Sequence, residues 1–201
     1  MYSIGIDLGG TNIVASVVDD DYNIIGTGKT PTDAPRSAED IFDDIAAMCR
    51  KAVENAGLKM SDISSAGMGT LGTVNEYGII EFANNLGFND VHAKEMLENR
   101  LENIPVFVEN DANCAALGEA YAGSGHGAQN FVAVTLGTGV GSGIIIDGKI
   151  VSGVNCAGGE CGHTVIVRDG EPCSCGRNGC WEAYASATAL IRQTRKAMEE
   201  Y

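Results

Sequence analysis

"IGIDLGGTNIVASVV", Ile4 to Val18, carries an apolar strand into a Gly-Gly-Thr turn and returns it as a second apolar strand. "VAVTLGTGVGSGIII", Val132 to Ile146, repeats the plan of strand, glycine-threonine turn and strand. Two hairpins of this kind in one chain predict an internal pseudo-repeat: two related α/β domains facing each other across a cleft, the second beginning near residues 110 to 130. Paired glycines let a backbone approach a polyphosphate closely, and a threonine hydroxyl adds a donor. Asp7, at the mouth of the first turn, is suited to hold Mg²⁺ directly or through water. Neither turn is a P-loop, because no Gly-Lys-Ser/Thr follows, and neither opens a long helix as a dinucleotide fingerprint requires.

Outward from these hairpins, residues 2–8, 12–18 and 23–28 read as an N-terminal meander broken by the acidic turn "DDDY". "SAEDIFDDIAAMCRKAVENAG", Ser37 to Gly57, places Ile41, Ile45, Cys49, Ala52, Val53 and Ala56 at helical spacing. A Ser-x-x-Asp cap starts it and Gly57 stops it. "SSAGMGTLGTVN" reads as a strand entering a glycine-rich loop, "IIEFANNLGF" as a short strand and turn, and "VHAKEMLENRLE" as a second helix. "IPVFVEN" is an apolar strand that ends in polar residues where the alanine-rich helix "DANCAALGEAYAG" begins. Such a junction is how α/β folds deliver polar groups to the carboxyl edge of a sheet. Asp147-Gly148 marks a hairpin after the second glycine-rich turn, and "ASATALIRQTRKAMEEY" is a closing helix with Ala187, Leu190, Ile191, Thr194 and Ala197 on one face.

The 201 residues are 44% hydrophobic and 20% charged, ordinary for a globular protein, while 27 glycines point to loops that approach a ligand. A formal net charge of -14 opposes general attraction to nucleic acid or to an anionic membrane. No apolar run reaches the ~18 residues of a membrane span, and "MYSIGIDLGG" alternates like a strand rather than a leader, so the expected location is cytoplasmic. Seven cysteines, an odd number with Cys173, Cys175 and Cys180 clustered, argue for reduced thiols and a metal; Cys49, Cys114, Cys156 and Cys161 are expected to be small buried hydrophobes.

Two segments carry further chemistry. In "VENDAN", Val108 to Asn113, Asn110 or Asp111 suffices as a helix cap, yet three consecutive polar side chains exceed what a cap needs. A carboxylate there is suited to take the proton of a hydroxyl that attacks a phosphoryl group. In "CSCGRNGCWE", Cys173 to Glu182, the spacings are not those of a redox Cys-x-x-Cys. His163 completes a Cys₃His set for tetrahedral Zn²⁺; a filled shell is structural and would aim the flanking Glu160, His163 and Glu182. His92 and His126 carry no such pattern.

"DLGGT", "NNLG", "ENDANCAALGEAYAG", "LGTGVGSGIIIDGKIVSG", "GGECGH" and "CSCGRNGCWE", in this order, make the chain resemble the ROK family (repressor, open reading frame, kinase) from residue 2 to residue 201, most closely its bacterial glucokinases. The resemblance implies an actin-like, ribonuclease H-like ATPase fold of two α/β domains, here 1–115 and a partial 116–201 that includes the zinc loop. It implies contacts of Gly9, Gly10, Thr11, Gly137, Thr138 and Gly139 with ATP phosphates, and Asp7 near Mg²⁺. Asp111 is implied as the base that deprotonates the 6-hydroxyl of glucose. Asn85, Asn110, Asp111, Glu160, His163 and Glu182 are implied to hold glucose or a related hexose; "NNLGF" stands where Pro-Asn-Leu is commoner, so Asn84 is the alternative to Asn85. His163, Cys173, Cys175 and Cys180 are the implied ligands of a structural Zn²⁺. Family members continue well past this length, so the chain resembles a truncated member. A homo-oligomer is implied. A non-catalytic sugar-binding or repressor-type protein, or an inactive fragment that binds sugar and zinc, is the competing expectation.

Overall fold

Strands β1 (Tyr2–Leu8), β2 (Asn12–Val18) and β3 (Ile24–Pro31) form the expected meander, with β3 running further than its sequence pattern indicates. The structure, a computed structural model, describes residues 1–200, and of Glu200 the backbone alone. It comprises two units, the first Met1–Asp111 and the second beginning at Ala112.

In the first unit, β4 (Ile63–Thr70) and β8 (Val106–Asn110) join the meander in a five-stranded sheet of order β3-β2-β1-β4-β8. β1–β2 and β2–β3 are antiparallel, whereas β1–β4 and β4–β8 are parallel. Alternation along β1 and β2 buries Ile4, Ile6, Leu8, Ile13, Ala15 and Val17 on one face. Helix α1 (Ala38–Asn55) contributes Ile41, Phe42, Ile45, Cys49 and Val53 to the same core. Each large apolar side chain fully buried there is worth about 1.5–3 kcal/mol relative to exposure. The helix starts as its sequence indicates: the Ser37 hydroxyl accepts the Asp40 N–H at 3.2 Å. It lies so close to β3 that a Cβ on Gly26 would stand 2.3 Å from the Ala52 carbonyl oxygen, and one on Gly28 2.5 Å from that of Met48.

A small antiparallel sheet of β5 (Thr73–Val74), β6 (Ile80–Ala83) and β7 (Phe88–Val91) lies between β4 and β8 in sequence. A 3₁₀ turn, Asn84–Leu86, separates β6 from β7 and ends at Gly87 with φ 70°, a backbone that favours glycine. Leu86 is buried while Asn84 and Asn85 are exposed. Helix α2 (Ala93–Arg100) buries Ala93 and Leu97, and its Arg100 bonds to Glu39 and Asp43 of α1.

In the second unit, β9 (Phe131–Leu136), β10 (Val140–Ile146) and β11 (Lys149–Ile150) form an antiparallel sheet of order β11-β10-β9. Helix α3 (Asp111–Ala122) follows β8 without an intervening residue. Its alanine face meets β10: Cβ atoms on Gly141 and Gly143 would stand 2.9 Å and 2.4 Å from the Cβ atoms of Ala112 and Ala116. Half of the glycines in "GTGVGSG" therefore serve helix–strand packing rather than a turn. A loop containing a 3₁₀ turn at Cys161–His163 leads to α4 (Glu182–Ala185) and α5 (Ala187–Glu200). Val132, Val134 and Leu136 of β9 and Leu190 and Ile191 of α5 are exposed. Among the described residues no helix is long and apolar enough to cross a membrane.

Candidate active site

The first unit gathers its polar candidates by strand register. Leu8 pairs with Thr70 and Thr70 with Asn110, so the parallel strands β1, β4 and β8 end level at one carboxyl edge. With strands ~4.8 Å apart, the ends of β1 and β8 are about 10 Å from each other. The turn Gly9–Thr11 leaves that edge from β1, and Asp111 leaves it from β8. Open α/β sheets bind ligands outside such carboxyl ends.

The turn itself is braced from beneath. Thr32, completely buried, donates its hydroxyl to the Gly9 carbonyl at 2.7 Å and its N–H to the Thr11 carbonyl at 2.9 Å. Both bonds engage carbonyl oxygens, the backbone groups that would repel a phosphate. A Cβ on Gly10 would stand 3.7 Å from the Cβ of Asn85, which sets that asparagine beside the turn. The Asn110 side-chain amide donates to the Gly72 carbonyl at 3.1 Å, tying the end of β8 to the loop after β4. Asp7 is open to solvent, and the desolvation it does have raises its carboxyl above the ordinary aspartate value.

In the second unit, Glu182 joins two loops. One carboxylate oxygen accepts the Val140 N–H at 3.0 Å, next to the turn Gly137–Gly139, and the other accepts the Ser174 hydroxyl at 3.0 Å inside the cysteine loop. The Gly137 carbonyl is held by the Ala187 N–H at 2.9 Å, where α5 begins. Thr138 is exposed at the tip. Glu160, also exposed, precedes the 3₁₀ turn that carries His163.

The four expected metal ligands converge. One donor atom from each of His163, Cys173, Cys175 and Cys180 lies within 4.8 Å of the others. Cys173 Sγ is 3.6 Å from His163 Nδ1, and Cys175 Sγ is 3.6 Å from Cys180 Sγ. Tetrahedral Zn²⁺ with ~2.3 Å bonds to sulfur would set its sulfurs about 3.8 Å apart, so the donor types, their number and their spacing fit that ion. All seven cysteines are free thiols. Burial opposes ionisation of Cys175, but backbone and side-chain hydrogen bonds from Arg177, with those from Cys173 and Cys180, outweigh it and lower the thiol to about 6. Gly179, at φ 80°, closes the loop against Val167, whose carbonyl oxygen would be 1.7 Å from a Cβ there. Of the scattered cysteines only Cys49 is buried; Cys114, Cys156 and Cys161 are half-buried.

Each unit thus assembles part of the expected set: Asp7, Gly9, Gly10, Thr11, Asn85, Asn110 and Asp111 in the first, and Gly137, Thr138, Gly139, Glu160, His163, Glu182 and the thiols in the second. Thr32 and Ser142, whose hydroxyls brace these loops, have no sequence signal beyond being small and polar.

The ROK family model matches residues 3–201. The glucokinase of Streptomyces coelicolor is 45% identical over 195 residues, which cover 96% of this chain and 59% of that protein. A ROK family glucokinase from Streptomyces griseus, solved in complex with glucose and AMPPNP, superposes with a TM-score of 0.86 at 41% identity, over 100% of this chain and 63% of that one. The xylose repressor of Bacillus spizizenii is 32% identical over 204 residues, 100% of this chain and 52% of the repressor. The chain spans about three-fifths of the length of the curated glucokinase it matches. The motifs, the sheet that ends level beneath the first glycine-rich turn, and a family match over nearly every residue converge: the chain belongs to the ROK family, with the actin-like α/β fold of its sugar kinases.

Proposed function

We propose that this chain carries the reacting and substrate-holding groups of an ATP-dependent hexokinase that phosphorylates the 6-hydroxyl of glucose. The observation that carries the proposal is the level carboxyl edge of β1, β4 and β8, which brings a braced glycine turn and the Asn110-Asp111 pair to the same side of one sheet.

Asp111 is the general base. Its carboxylate takes the proton of the sugar hydroxyl as the oxygen attacks the γ-phosphorus of ATP and ADP leaves. Gly9, Gly10, Thr11, Gly137, Thr138 and Gly139 receive the phosphates through backbone N–H groups and hydroxyls. The hexose hydroxyls are assigned to Asn85, Asn110, Asp111, Glu160, His163 and Glu182; side chains rich in acceptors suit a polyol, and each hydroxyl left unpaired would cost affinity. Asp7 is the residue that would hold Mg²⁺, which neutralises phosphate charge. His163, Cys173, Cys175 and Cys180 would hold Zn²⁺ in a closed shell, a structural group that fixes the loop bearing Glu182. The net charge of -14 fits a protein that leaves nucleic acid alone. A homo-oligomer in the cytoplasm belongs to the same proposal.

The test is coupled detection of glucose 6-phosphate from glucose and ATP. Asp111→Asn is expected to lower kcat by at least ~10²-fold while glucose still binds, because a positioned base contributes about 10²–10⁴. An Asp111→Asn protein that keeps its rate sinks the assignment. A panel of glucose, mannose, fructose and N-acetylated hexoses then ranks the substrates. A second reading, a non-catalytic sugar sensor, is favoured by the 32% identity to a xylose repressor. Calorimetric glucose binding without ATP binding or turnover supports it, and a gel shift with DNA would make it the better reading.

A further inference from the structure

β10 passes from the second glycine-rich turn beneath the segment Gly158–His163, and one side chain on it joins the two. Ser142 is 6% exposed. Its hydroxyl donates to the Gly159 carbonyl and accepts the Cys161 N–H at 3.1 Å. A single oxygen therefore bonds to the backbone on both sides of Glu160. The Cys161 N–H is shared, since the Gly159 carbonyl also lies 2.7 Å from it. The Glu160 carbonyl in turn accepts the His163 N–H at 3.1 Å, so the 3₁₀ turn starts at this point.

The surroundings show that the segment rests on the strand. A Cβ on Gly162 would be 2.0 Å from the Val140 carbonyl oxygen, and one on Gly159 would be 3.2 Å from that of Ser142. Glu160, between Gly159 and Cys161, is exposed, with φ -70° and ψ 53°. Val140, two residues earlier on β10, donates its backbone N–H to Glu182. Two nearby residues of one strand thus hold the Glu182 carboxylate directly and the backbone on either side of Glu160.

The geometry points to Ser142 as a positioning residue: its buried hydroxyl fixes the backbone of Gly159–His163 so that Glu160 is presented to a hexose hydroxyl. The inference rests on the proposed hexose role of Glu160, but the brace itself does not. A hydroxyl both donates and accepts, so Ser142→Ala removes both bonds at once and leaves the Cys161 N–H and the Gly159 carbonyl to each other, without the tie to β10. Ser142→Thr keeps the hydroxyl in a strand that suits a β-branched side chain.

Amide hydrogen exchange and glucose calorimetry on the same proteins test it. Ser142→Ala is expected to speed exchange at Cys161 and His163 at least about fivefold, with α3 amides unchanged, and to weaken glucose binding at least about fivefold; Ser142→Thr is expected to stay within about twofold of the parent in both. Unchanged exchange at Cys161 overturns the brace. Faster exchange with unchanged glucose affinity overturns the positioning role and leaves a purely structural serine. If the parent protein binds no hexose, the sugar assignment of Glu160 fails, and exchange alone still decides whether Ser142 fixes the segment.

Discussion

The two glycine-rich turns share a sequence plan and differ in what holds them. Gly9–Thr11 stands on strands whose inner faces are lined by Ile4, Leu8 and Ile13, all buried, and its carbonyls are tied down by Thr32 from the end of β3. Gly137–Gly139 joins β9, an edge strand with Val132, Val134 and Leu136 exposed, to β10. Its ties come from far along the chain: the Glu182 carboxylate on the Val140 N–H and the Ala187 N–H on the Gly137 carbonyl. Hydrophobic packing and a buried threonine beside it set the first turn. A carboxylate shared with a cysteine loop sets the second. The same motif can thus be held by a core or by a polar relay, and only the second arrangement makes a glycine-rich turn depend on the cysteine loop.

The comparison breaks most readily in the core of the first unit. Phe42 is fully buried and packs against Phe88 with ring centroids 6.2 Å apart, so Phe42→Ala should cost about 3–5 kcal/mol. Leu190→Ala, at a side chain 66% exposed in the second unit, should stay within about 0.5 kcal/mol. Urea unfolding followed by circular dichroism measures both, and fluorescence of Trp181, the single tryptophan, reports on the second unit alone. A Phe42→Ala protein whose Trp181 transition moves as far as its overall transition would show that the two units unfold as one.

What was legible in the sequence follows the same division. The meander and α1 were readable because their signals are local: alternation, a period of 3.6, the Ser37 cap and Gly57. The convergence of His163, Cys173, Cys175 and Cys180 was readable from donor chemistry, three thiols and one imidazole in a set that a common ion accepts. The placement of β4 between β1 and β8 was not, since parallel pairing is decided by packing over long sequence separations rather than by the strands' own composition. Thr32 and Ser142 were invisible because each acts on a backbone group that only folding brings near, Gly9 for one and Gly159 for the other. Gly141 and Gly143 looked like turn residues and prove to be the gaps into which α3 sets its alanines.

Thr32→Val sharpens the comparison at the first turn. Valine keeps the shape and the buried methyl but strips the donor from the Gly9 carbonyl, which should cost about 1–3 kcal/mol. In the proposed kinase it should also raise KM for ATP several-fold and leave KM for glucose unchanged. Equal rises in both constants would mean that Thr32 supports the unit generally and not the turn.

The smallest effects lie within the second turn, between two glycines two residues apart. A Cβ on Gly137 would meet nothing within 4 Å, whereas one on Gly139 would stand 2.3 Å from Glu182 Oε2. That oxygen belongs to a side chain that can swing away, so the turn survives Gly139→Ala but loses the carboxylate on the Val140 N–H. Such a bond to a charged group is worth about 1.5–3 kcal/mol at most, and solvent near the half-buried Gly139 should reduce the net cost to roughly 1 kcal/mol. Gly137→Ala should cost less than about 0.5 kcal/mol. The two variants are compared by urea midpoints from Trp181 fluorescence and by amide exchange at Val140, which should accelerate in Gly139→Ala alone. Because Glu182 also accepts the Ser174 hydroxyl, Gly139→Ala should loosen the cysteine loop as well, read in protein loaded with the proposed Zn²⁺ as faster loss of the ion to a chelator. If zinc leaves both variants at the same rate, the turn and the loop are neighbours without being coupled, and the second turn is held by α5 rather than by the relay through Glu182.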